Sequence, residues 1–422
     1  MAENRDKICY ELLMQVFRDH AYASIALNAA LKSCAENDKA YITRLFYGVL
    51  ERSVYYDYVL AAFSAKKPKK SVATIIKMGY YMLENTDMPA YAAVDNTVKL
   101  CKAVGKEGVV GFVNSALRKF AAPPFPTEGS AEWLSVHYSY PLWLVRKLAD
   151  EYGFEFTEEM LDYVPSRDIH VRVNTKVIDT VDFEKKYARL FDRVARTPVG
   201  YLIPRKTLDE MESHDYVVQS ASSIAAVHAY LYGVERPKNI LDVCAAPGGK
   251  SVLLALVTNA EITACDIHSH RVELIKKYAD NCKVSVKAVE ADAMVFNPEW
   301  HDAFDLVVCD VPCSGLGVVS SKPDILYNRS EEDIEELKVI QRAILENASK
   351  YVRAGGRLCY STCTILKEEN GDIIADFLSK HGEFAREKIR SPYDECEKDA
   401  ISLFPHLHGT DGFYVAALKR IK

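Results

Sequence analysis

Two cysteines each close a short segment at the end of a predicted strand. Cys313 ends the segment Asp310–Cys313 (Asp-Val-Pro-Cys), and Cys363 ends the segment Ser361–Cys363 (Ser-Thr-Cys). A third predicted strand runs into the glycine turn Asp242–Lys250. A thiol with an ordinary pKa of ~8.5 is only a few per cent ionised at neutral pH, but its thiolate is a strong nucleophile. A cofactor turn beside a sulfur nucleophile indicates methyl transfer to a base carbon through a covalent enzyme–substrate bond.

C5 of a cytosine is a poor nucleophile, so its methylation needs side chains that activate the ring. A thiolate that adds to C6 raises the electron density at C5, so that C5 can attack the methyl group; a base must afterwards remove the C5 proton. We expect Asp310 to hydrogen-bond the N3/N4 edge of the base and Pro312 to fix the turn that directs Cys313. These arguments alone do not decide which of the two thiols attacks.

The glycine turn predicts the cofactor. Ligands of open α/β sheets bind beyond the carboxyl ends of the strands, and Gly248 and Gly249 allow the backbone to approach a ligand closely. The turn matches neither the dinucleotide fingerprint nor the Walker loop. We expect Asp266 to bind ribose hydroxyls, and Asp292 either to accept from an adenine amine or to hold the adjacent turn. An acidic pocket without a phosphate cradle favours S-adenosylmethionine, whose sulfonium is cationic. The alternatives are a plain tight turn for the glycines and a helix N-cap for Asp292.

The cysteine spacing also invites a metal interpretation, because Cys309 precedes Cys313 by four residues and Cys359 precedes Cys363 by four. Four positions along an extended chain separate two thiols by up to ~13 Å. Zinc-bound sulfurs must lie within roughly 4 Å of one another. We therefore predict no metal, and we expect four cysteines to be small core residues: Cys244, Cys265, Cys309 and Cys359.

Hydrophobic periodicity predicts three regions. Residues 1–125 form an all-helical bundle, which a proline-rich stretch ends, because proline fixes φ and removes an amide donor. Residues 126–215 contain this linker and a small α+β module. Residues 216–422 alternate strand and helix, which predicts a mostly parallel, doubly wound Rossmann-like sheet with helices on both faces. The final apolar stretch 412–419 is predicted to be an edge strand.

Bulk composition narrows the class of protein. The 422 residues are 49% apolar and 27% charged, which is typical of a globular protein with more than one domain. Neither a membrane-spanning run nor a signal peptide is recognisable, so we expect a cytoplasmic location and reduced thiols. Residues 1–125 carry 17 basic and 12 acidic side chains, against 36 and 47 in the remainder. This asymmetry permits a nucleic-acid partner at the N-terminal region.

Taken together, these segments resemble the RNA 5-methylcytosine methyltransferases, specifically the ribosomal RNA small-subunit methyltransferase B family (RsmB, also called Sun). The resemblance rests on Leu241–Ser251, Asp310–Gly317 and Tyr360–Ile365, and on an N-terminal bundle similar to the NusB-type RNA-binding domain. It spans almost the whole chain. One departure is Ser220, which follows Gln219 where the family commonly has an acidic residue.

The resemblance implies a class I methyltransferase domain that uses S-adenosylmethionine to methylate C5 of a cytosine in 16S ribosomal RNA, without a metal or an obligate protein partner. It implies that Cys363 is the nucleophile and that Cys313 assists release of the product, with Asp310 as the third catalytic residue. It places the following residues around the cofactor: Cys244, Ala245, Ala246, Pro247, Gly248, Gly249, Lys250, Asp266, Asp292 and Asp310. Two alternatives are a transfer RNA substrate and a non-enzymatic NusB-like RNA-binding factor.

Overall fold

The computed structural model describes residues 5–422, and these divide into two compact units. The first unit comprises the chain up to Asp162 together with Val319–Glu331; the second comprises Tyr163–Val318 and Glu332–Lys422. The three domains predicted from the sequence, with boundaries after residues 125 and 215, stay a prediction. The compact units divide instead at Asp162.

The first unit is all-helical over its described residues. Its main helices are α1 (Arg5–Asp19), α2 (Ala23–Leu31), α3 (Glu36–Glu51), α4 (Ser53–Phe63), α5 (Lys70–Asn85), α6 (Ala90–Ala103), α7 (Val110–Arg118), α8 (Ala131–Tyr138), α9 (Leu142–Tyr152) and α10 (Phe154–Asp162). Residues three and four apart share one face of a helix, and Cys9, Leu12, Leu13 and Val16 are accordingly buried on one side of α1. The proline-rich stretch between α7 and α8 contains neither helix nor strand, as predicted.

The second unit contains both sheets. Its elements, with the short α16 that belongs to the first unit, are β1 (Ile169–Val173), α11 (Thr180–Lys186), α12 (Ala188–Phe191), β2 (Ala195–Thr197), β3 (Gly200–Ile203), β4 (Tyr216–Val218), α13 (Ala221–Leu231), β5 (Asn239–Asp242), α14 (Gly249–Val257), β6 (Glu261–Asp266), α15 (Ser269–Cys282), β7 (Lys287–Glu290), β8 (Phe304–Asp310), α16 (Ile325–Asn328), α17 (Glu331–Ser349), β9 (Val352–Thr362), α18 (Gly371–Lys380), β10 (Phe384–Glu387), β11 (Ala400–Leu403), α19 (Pro405–His408) and β12 (Phe413–Arg420).

The segment that contains α16 packs against the helical bundle within the first unit. The Tyr327 hydroxyl donates to the Leu50 carbonyl at 2.5 Å, and its ring meets Phe17 edge-on at a centroid distance of 5.2 Å. The Asn328 side chain lies 3.4 Å from the carbonyl of His20. Sequence analysis did not predict this helix, because four residues are too few for a hydrophobic period to be recognised.

The small sheet of the second unit is antiparallel, with the strand order β2-β3-β1-β4. The large sheet has the order β10-β12-β9-β8-β5-β6-β7, and β11 pairs with β12. Strands β5 to β9 pair in parallel, whereas β10, β11 and β12 pair antiparallel. The predicted Rossmann-like fold is confirmed.

The prediction that the last strand lies at the sheet edge is wrong. Strand β12 pairs with β9 on one side and with β10 and β11 on the other. Its first six residues are all buried, which is typical of a strand covered on both faces. The uninterrupted apolar run in the sequence was the available signal for an interior position.

No helix among residues 5–422 is long and apolar enough to span a membrane.

Candidate active site

The predicted site lies where the strand order of the large sheet reverses. From β5 the chain adds β6 and then β7 on one side, and it then crosses to add β8 and β9 on the other. The carboxyl ends of β5, β8 and β9 therefore lie side by side at the point where ligands bind in such sheets. Asp242 ends β5, Asp310 ends β8 and pairs in register with Ser361, and Thr362 ends β9.

The two predicted catalytic cysteines lie together beyond these strand ends. Their sulfur atoms are 3.2 Å apart, and both side chains are partly exposed. The loop after Cys313 packs directly on the loop that carries Cys363, since the Gly317 amide donates to the Cys363 carbonyl at 2.9 Å. A Cβ atom at Gly317 would lie 2.3 Å from the Gly412 carbonyl oxygen. Only glycine permits this approach, so Gly317 is part of what sets the separation of the thiols.

Asp310 is held by two donors at the bottom of the site. Lys250 Nζ lies 2.6 Å from its Oδ2 atom, and the Ser361 hydroxyl donates to its Oδ1 atom at 2.9 Å. The buried Tyr230 hydroxyl lies 2.5 Å from Ser361 Oγ and completes the chain of hydrogen bonds. The carboxylate is therefore fixed in orientation by its neighbours before any ligand arrives.

The Lys250 ammonium supplies the positive charge of the site. Burial lowers its pKa, but the charge and the hydrogen bond of Asp310 outweigh burial, so the pKa is raised above its ordinary value. The negative charge of an ionised Cys363 raises it further. By reciprocity, the ammonium favours the thiolate form of Cys363.

The cysteines around this pair are buried thiols with raised pKa values. Burial raises the pKa of the Cys309 thiol well above its ordinary value, and it raises the pKa of Cys265 and Cys359 to about 12. The pKa of Cys313 is also raised, first by its hydrogen bond with Cys363 and then by burial. The raised pKa favours the protonated form of Cys313.

The cofactor turn between β5 and α14 is built on a positive-φ glycine. Gly248 has φ of 110°, and a Cβ atom there would lie 3.2 Å from Ile275 Cα. The Ala245 amide donates to the Cys265 carbonyl at 2.7 Å, which ties the turn to the neighbouring strand β6. Gly249 begins α14, and a Cβ atom there would lie 3.4 Å from Gln219 Nε2. Any added side chain would thus displace the turn or crowd its surface.

Asp242, at the start of this turn, is a buried carboxyl group. Burial raises its pKa to about 6, although the Ser251 hydroxyl, 2.6 Å from Oδ2, opposes this shift. Its Oδ1 atom makes no hydrogen bond within residues 5–422. A buried acceptor without a donor suits a ligand that brings one, such as the ammonium group of an amino acid.

Two further predicted cofactor residues stand at the ends of the next strands. Asp266 ends β6 and is buried; its side chain accepts from the His268 amide at 3.2 Å. The Arg271 guanidinium forms an ion pair with the same carboxylate at 3.4 Å. Asp292 follows β7 and accepts from the Met294 amide at 2.9 Å. That contact closes a turn of two residues and no α-helix begins there, so Asp292 is not a helix N-cap.

The departure at Ser220 has a structural role of its own. Its hydroxyl caps helix α13 by accepting from the Ser223 amide at 3.4 Å. The preceding Gln219 accepts from the buried Arg172 at 2.7 Å and lies against the cofactor turn. Gln219 connects the antiparallel sheet to that turn, whereas Ser220 caps the first turn of α13.

Sequence analysis missed a buried carboxylate behind the thiols. Glu369 is fully buried and accepts hydrogen bonds from the Ser314 amide at 2.8 Å and from Gln341 Nε2 at 2.9 Å. It lies six residues after Cys363, in a stretch of charged residues that is typical of a surface loop. No sequence signal distinguished it from its exposed neighbours.

A second acidic group, Glu212 with His214 and Asp215, has the spacing of metal ligands. Lys186 Nζ already lies 3.0 Å from Glu212 Oε1 and 2.7 Å from Asp215 Oδ2. The Tyr187 hydroxyl donates to the same Asp215 oxygen at 2.6 Å. The negative charge of Glu212 and Asp215 is thus compensated by the Lys186 ammonium, and the Tyr187 hydroxyl supplies a further hydrogen bond.

Comparison with known proteins agrees with this geometry. The family described as 16S rRNA methyltransferase RsmB/F matches residues 229–419, and the NusB family matches residues 4–122. The probable ribosomal RNA small subunit methyltransferase B of Bacillus subtilis (strain 168) is 31% identical, over 98% of this chain and 98% of that protein. The chain belongs to the ribosomal RNA small subunit methyltransferase B family. It is accordingly an S-adenosylmethionine-dependent RNA methyltransferase.

Other members and a solved structure extend the comparison. The ribosomal RNA small subunit methyltransferase B of Shewanella oneidensis is 29% identical over 98% of this chain and 99% of that protein. The crystal structure of PH0851 superposes with a TM-score of 0.80 at 24% identity and covers 99% of both chains. The sequence-based predictions of family, fold and cofactor are confirmed, while the roles of individual site residues stay predictions.

Proposed function

We propose that this methyltransferase modifies C5 of a cytosine in 16S ribosomal RNA through a covalent bond between Cys363 and C6 of the base. The observation that carries the proposal is the pair of sulfur atoms 3.2 Å apart beside the Lys250–Asp310 ion pair. Methylation of an exocyclic nitrogen or a ribose oxygen needs no thiol pair. The relatives named ribosomal RNA small subunit methyltransferase B and the NusB match at residues 4–122 support the RNA substrate.

The first step is addition of the thiolate. Cys363 Sγ forms a bond to C6 while the C5–C6 double bond opens toward C5. Lys250 stabilises the thiolate beforehand, and Asp310 fixes the edge of the base, which favours charge development on the ring. S-adenosylmethionine, when bound, supplies the methyl group that C5 takes, and we assign its binding to the following residues: Asp242, Cys244, Ala245, Ala246, Pro247, Gly248, Gly249, Lys250, Asp266, Asp292 and Asp310.

The second step is release of the product, which we assign to Cys313. Its pKa is raised chiefly by the hydrogen bond with Cys363. Once Cys363 is a neutral thioether, that hydrogen bond and the thiolate charge are gone, so Cys313 loses its proton to solvent more readily. The Cys313 thiolate then takes the C5 proton, the C5–C6 double bond re-forms and the C6–S bond breaks. Cys363 leaves as a thiolate and the cycle closes.

The thiol assignments are tested by two variants and one matched control. We expect Cys363→Ala to abolish both methylation and the covalent enzyme–RNA species on denaturing gels, because no sulfur remains to attack C6. Cys313→Ala should form that species and accumulate it, because elimination is blocked. Cys396→Ala, at an exposed cysteine, should behave as the wild type. A covalent species formed by Cys363→Ala would contradict the assignment.

The substrate is tested separately. Bisulfite sequencing of total RNA from a strain that lacks this protein should show the loss of one 5-methylcytosine in 16S ribosomal RNA. Restoration of the signal by the wild-type chain, and not by the Cys363→Ala variant, would tie the base to this site. Loss of a methylcytosine from transfer RNA instead would show that the substrate is transfer RNA, with the same reaction.

A further inference from the structure

The fully buried Glu369 is a carboxylate whose hydrogen-bond donors are all neutral. They are the Ser314 amide at 2.8 Å, the Ser314 hydroxyl at 2.5 Å and the Gln341 side-chain amide at 2.9 Å. Removing a carboxylate from water is unfavourable unless hydrogen bonds compensate for the loss. A glutamine could accept the hydrogen bonds of the Ser314 amide and of Gln341 without burying a charge, so a structural reason alone does not account for the acid.

These contacts hold both neighbours of Cys313. The Ser314 amide and hydroxyl bind Glu369, while Gln341 Nε2 also donates to the Pro312 carbonyl at 3.0 Å. Gln341 bridges Pro312 and Glu369, because its side-chain amide donates one hydrogen bond to the Pro312 carbonyl and the other to the Glu369 carboxylate. The backbone that carries the Cys313 sulfur is thereby fixed on either side.

The same segment holds both neighbours of Cys363. The side chain of Asn370 accepts from the Thr362 hydroxyl at 2.5 Å and donates to the Thr364 carbonyl at 3.0 Å. Thr364 Oγ1 lies 2.8 Å from Ser314 Oγ, which links the two cysteine loops directly. The backbone carbonyl of Glu369 accepts from the buried Tyr360 hydroxyl at 2.6 Å, which anchors the segment to β9.

We propose that Glu369 is a positioning residue of the methyl-transfer site, which sets the separation of the two thiols and keeps Cys313 protonated while Cys363 attacks. The electrostatic half follows from its charge: a negative charge near a thiol disfavours the thiolate, and Glu369 contributes to the raised pKa of Cys313. The geometric half follows from the hydrogen bonds at Pro312 and Ser314. The proposal rests on the proposed function, because it assigns unequal roles to the two thiols.

The test compares Glu369→Gln with the matched control Glu368→Gln. Glutamine keeps the size of the side chain but loses the charge and one acceptor. Glu368 is the preceding residue and pairs with Lys338 at 2.9 Å, away from the Ser314 contacts. We expect Glu369→Gln to lower kcat about 100-fold, the order of loss typical of a misplaced reacting group, with KM for S-adenosylmethionine within about twofold of wild type. Glu368→Gln should retain wild-type kcat.

A second readout needs neither RNA nor cofactor. Alkylation of Cys313 by iodoacetamide, followed across pH by peptide mass, should have its midpoint at lower pH in Glu369→Gln than in wild type. Glu368→Gln, which leaves the Ser314 contacts in place, should keep the wild-type midpoint. An unchanged midpoint together with wild-type kcat would overturn the proposal.

If Glu369→Gln does not fold, Ser314→Ala carries the same test, because it removes one donor and keeps the backbone amide. It should lower kcat in the same direction and by less, again with little change in KM; a wild-type kcat for Ser314→Ala would then count against the proposal. If the wild-type protein methylates no RNA cytosine, the proposed function fails, and the alkylation midpoint still decides the electrostatic role. If wild type is active and Glu369→Gln is equally active, only the positioning role fails.

Discussion

Four cysteines on two adjacent strands offer a comparison within one sheet. Cys309 and Cys359 lie inside β8 and β9 and are fully buried, whereas Cys313 and Cys363 lie four residues further along, beyond the strand ends, and are partly exposed. The side chains are chemically identical. Burial raises the pKa of the inner pair, with Cys359 at about 12, while the outer pair shares a hydrogen bond near the Lys250 ammonium.

The difference shows that position along the strand decides how deeply a thiol is buried and which groups surround it. Inside the sheet burial disfavours the thiolate, and at Cys359 it outweighs the opposing charge of Arg357, so these thiols act as small apolar side chains. Beyond the strand ends the loops bring a cation, a second thiol and access for a base. The predictions below test this distinction, in order of decreasing expected effect.

The largest effect is expected when the cation is removed. Lys250→Met keeps the length of the side chain but leaves Asp310 without its ion pair and the Cys363 thiolate without its stabilising charge. We expect the rate of methyl transfer to fall by roughly 10²–10³-fold, the usual cost of losing one electrostatic group in a closed site. Single-turnover transfer of a labelled methyl group to RNA measures this rate.

A suitable control is Lys276→Met, because Lys276 is an exposed residue of α15 that pairs with Glu273. It should transfer methyl groups at the wild-type rate. If Lys250→Met retained the wild-type rate, the charge at the strand ends would not be what distinguishes the outer thiols from the inner ones.

Much of this arrangement was predictable from the sequence. Apolar runs that end in Asp242, Asp266 and Asp310 gave the strands and placed the acids at one edge, since parallel strands share their carboxyl ends. The resemblance assigned the thiols. What the sequence did not reveal were contacts between distant segments, because periodicity reports only the face of an element. Glu369 beneath Cys313 and α16 against the bundle are of this kind.

A second prediction concerns Asp242, whose pKa is about 6 in the folded chain and about 3.9 when unfolded. Between these two pH values the folded state binds a proton that the unfolded state has lost. The contribution of Asp242 to stability should therefore fall as pH rises from about 4 to 6 and should then level off, by on the order of 3 kcal/mol in total. Thermal midpoints of the wild type and of a variant at this position, measured across this range, isolate that contribution.

Asp242→Asn removes the titrating group and keeps an oxygen that can accept from Ser251. Its midpoints should decline less than those of the wild type between pH 4 and 6, whatever the absolute stability of the variant. Parallel curves for the two proteins would mean that another group causes the decline.

The smallest change in stability is expected for the cysteines themselves, in the matched pair Cys359→Ser and Cys363→Ser. At position 359 a serine hydroxyl replaces a fully buried thiol among apolar neighbours. A hydroxyl is a stronger hydrogen-bond donor than a thiol, so burying it without an acceptor should lower the free energy of unfolding by about 1–3 kcal/mol. We expect the thermal midpoint to fall by a few degrees while the folded protein still methylates RNA. At position 363 the partly exposed hydroxyl should leave the midpoint nearly unchanged and abolish methylation, because serine is not ionised at neutral pH. Calorimetry and methyl transfer on the same samples measure both properties.

Loss of activity in the folded Cys359→Ser variant would contradict the comparison. It would show that the thiols inside the strands also take part in the chemistry, so that burial would not separate them from the thiols beyond the strand ends.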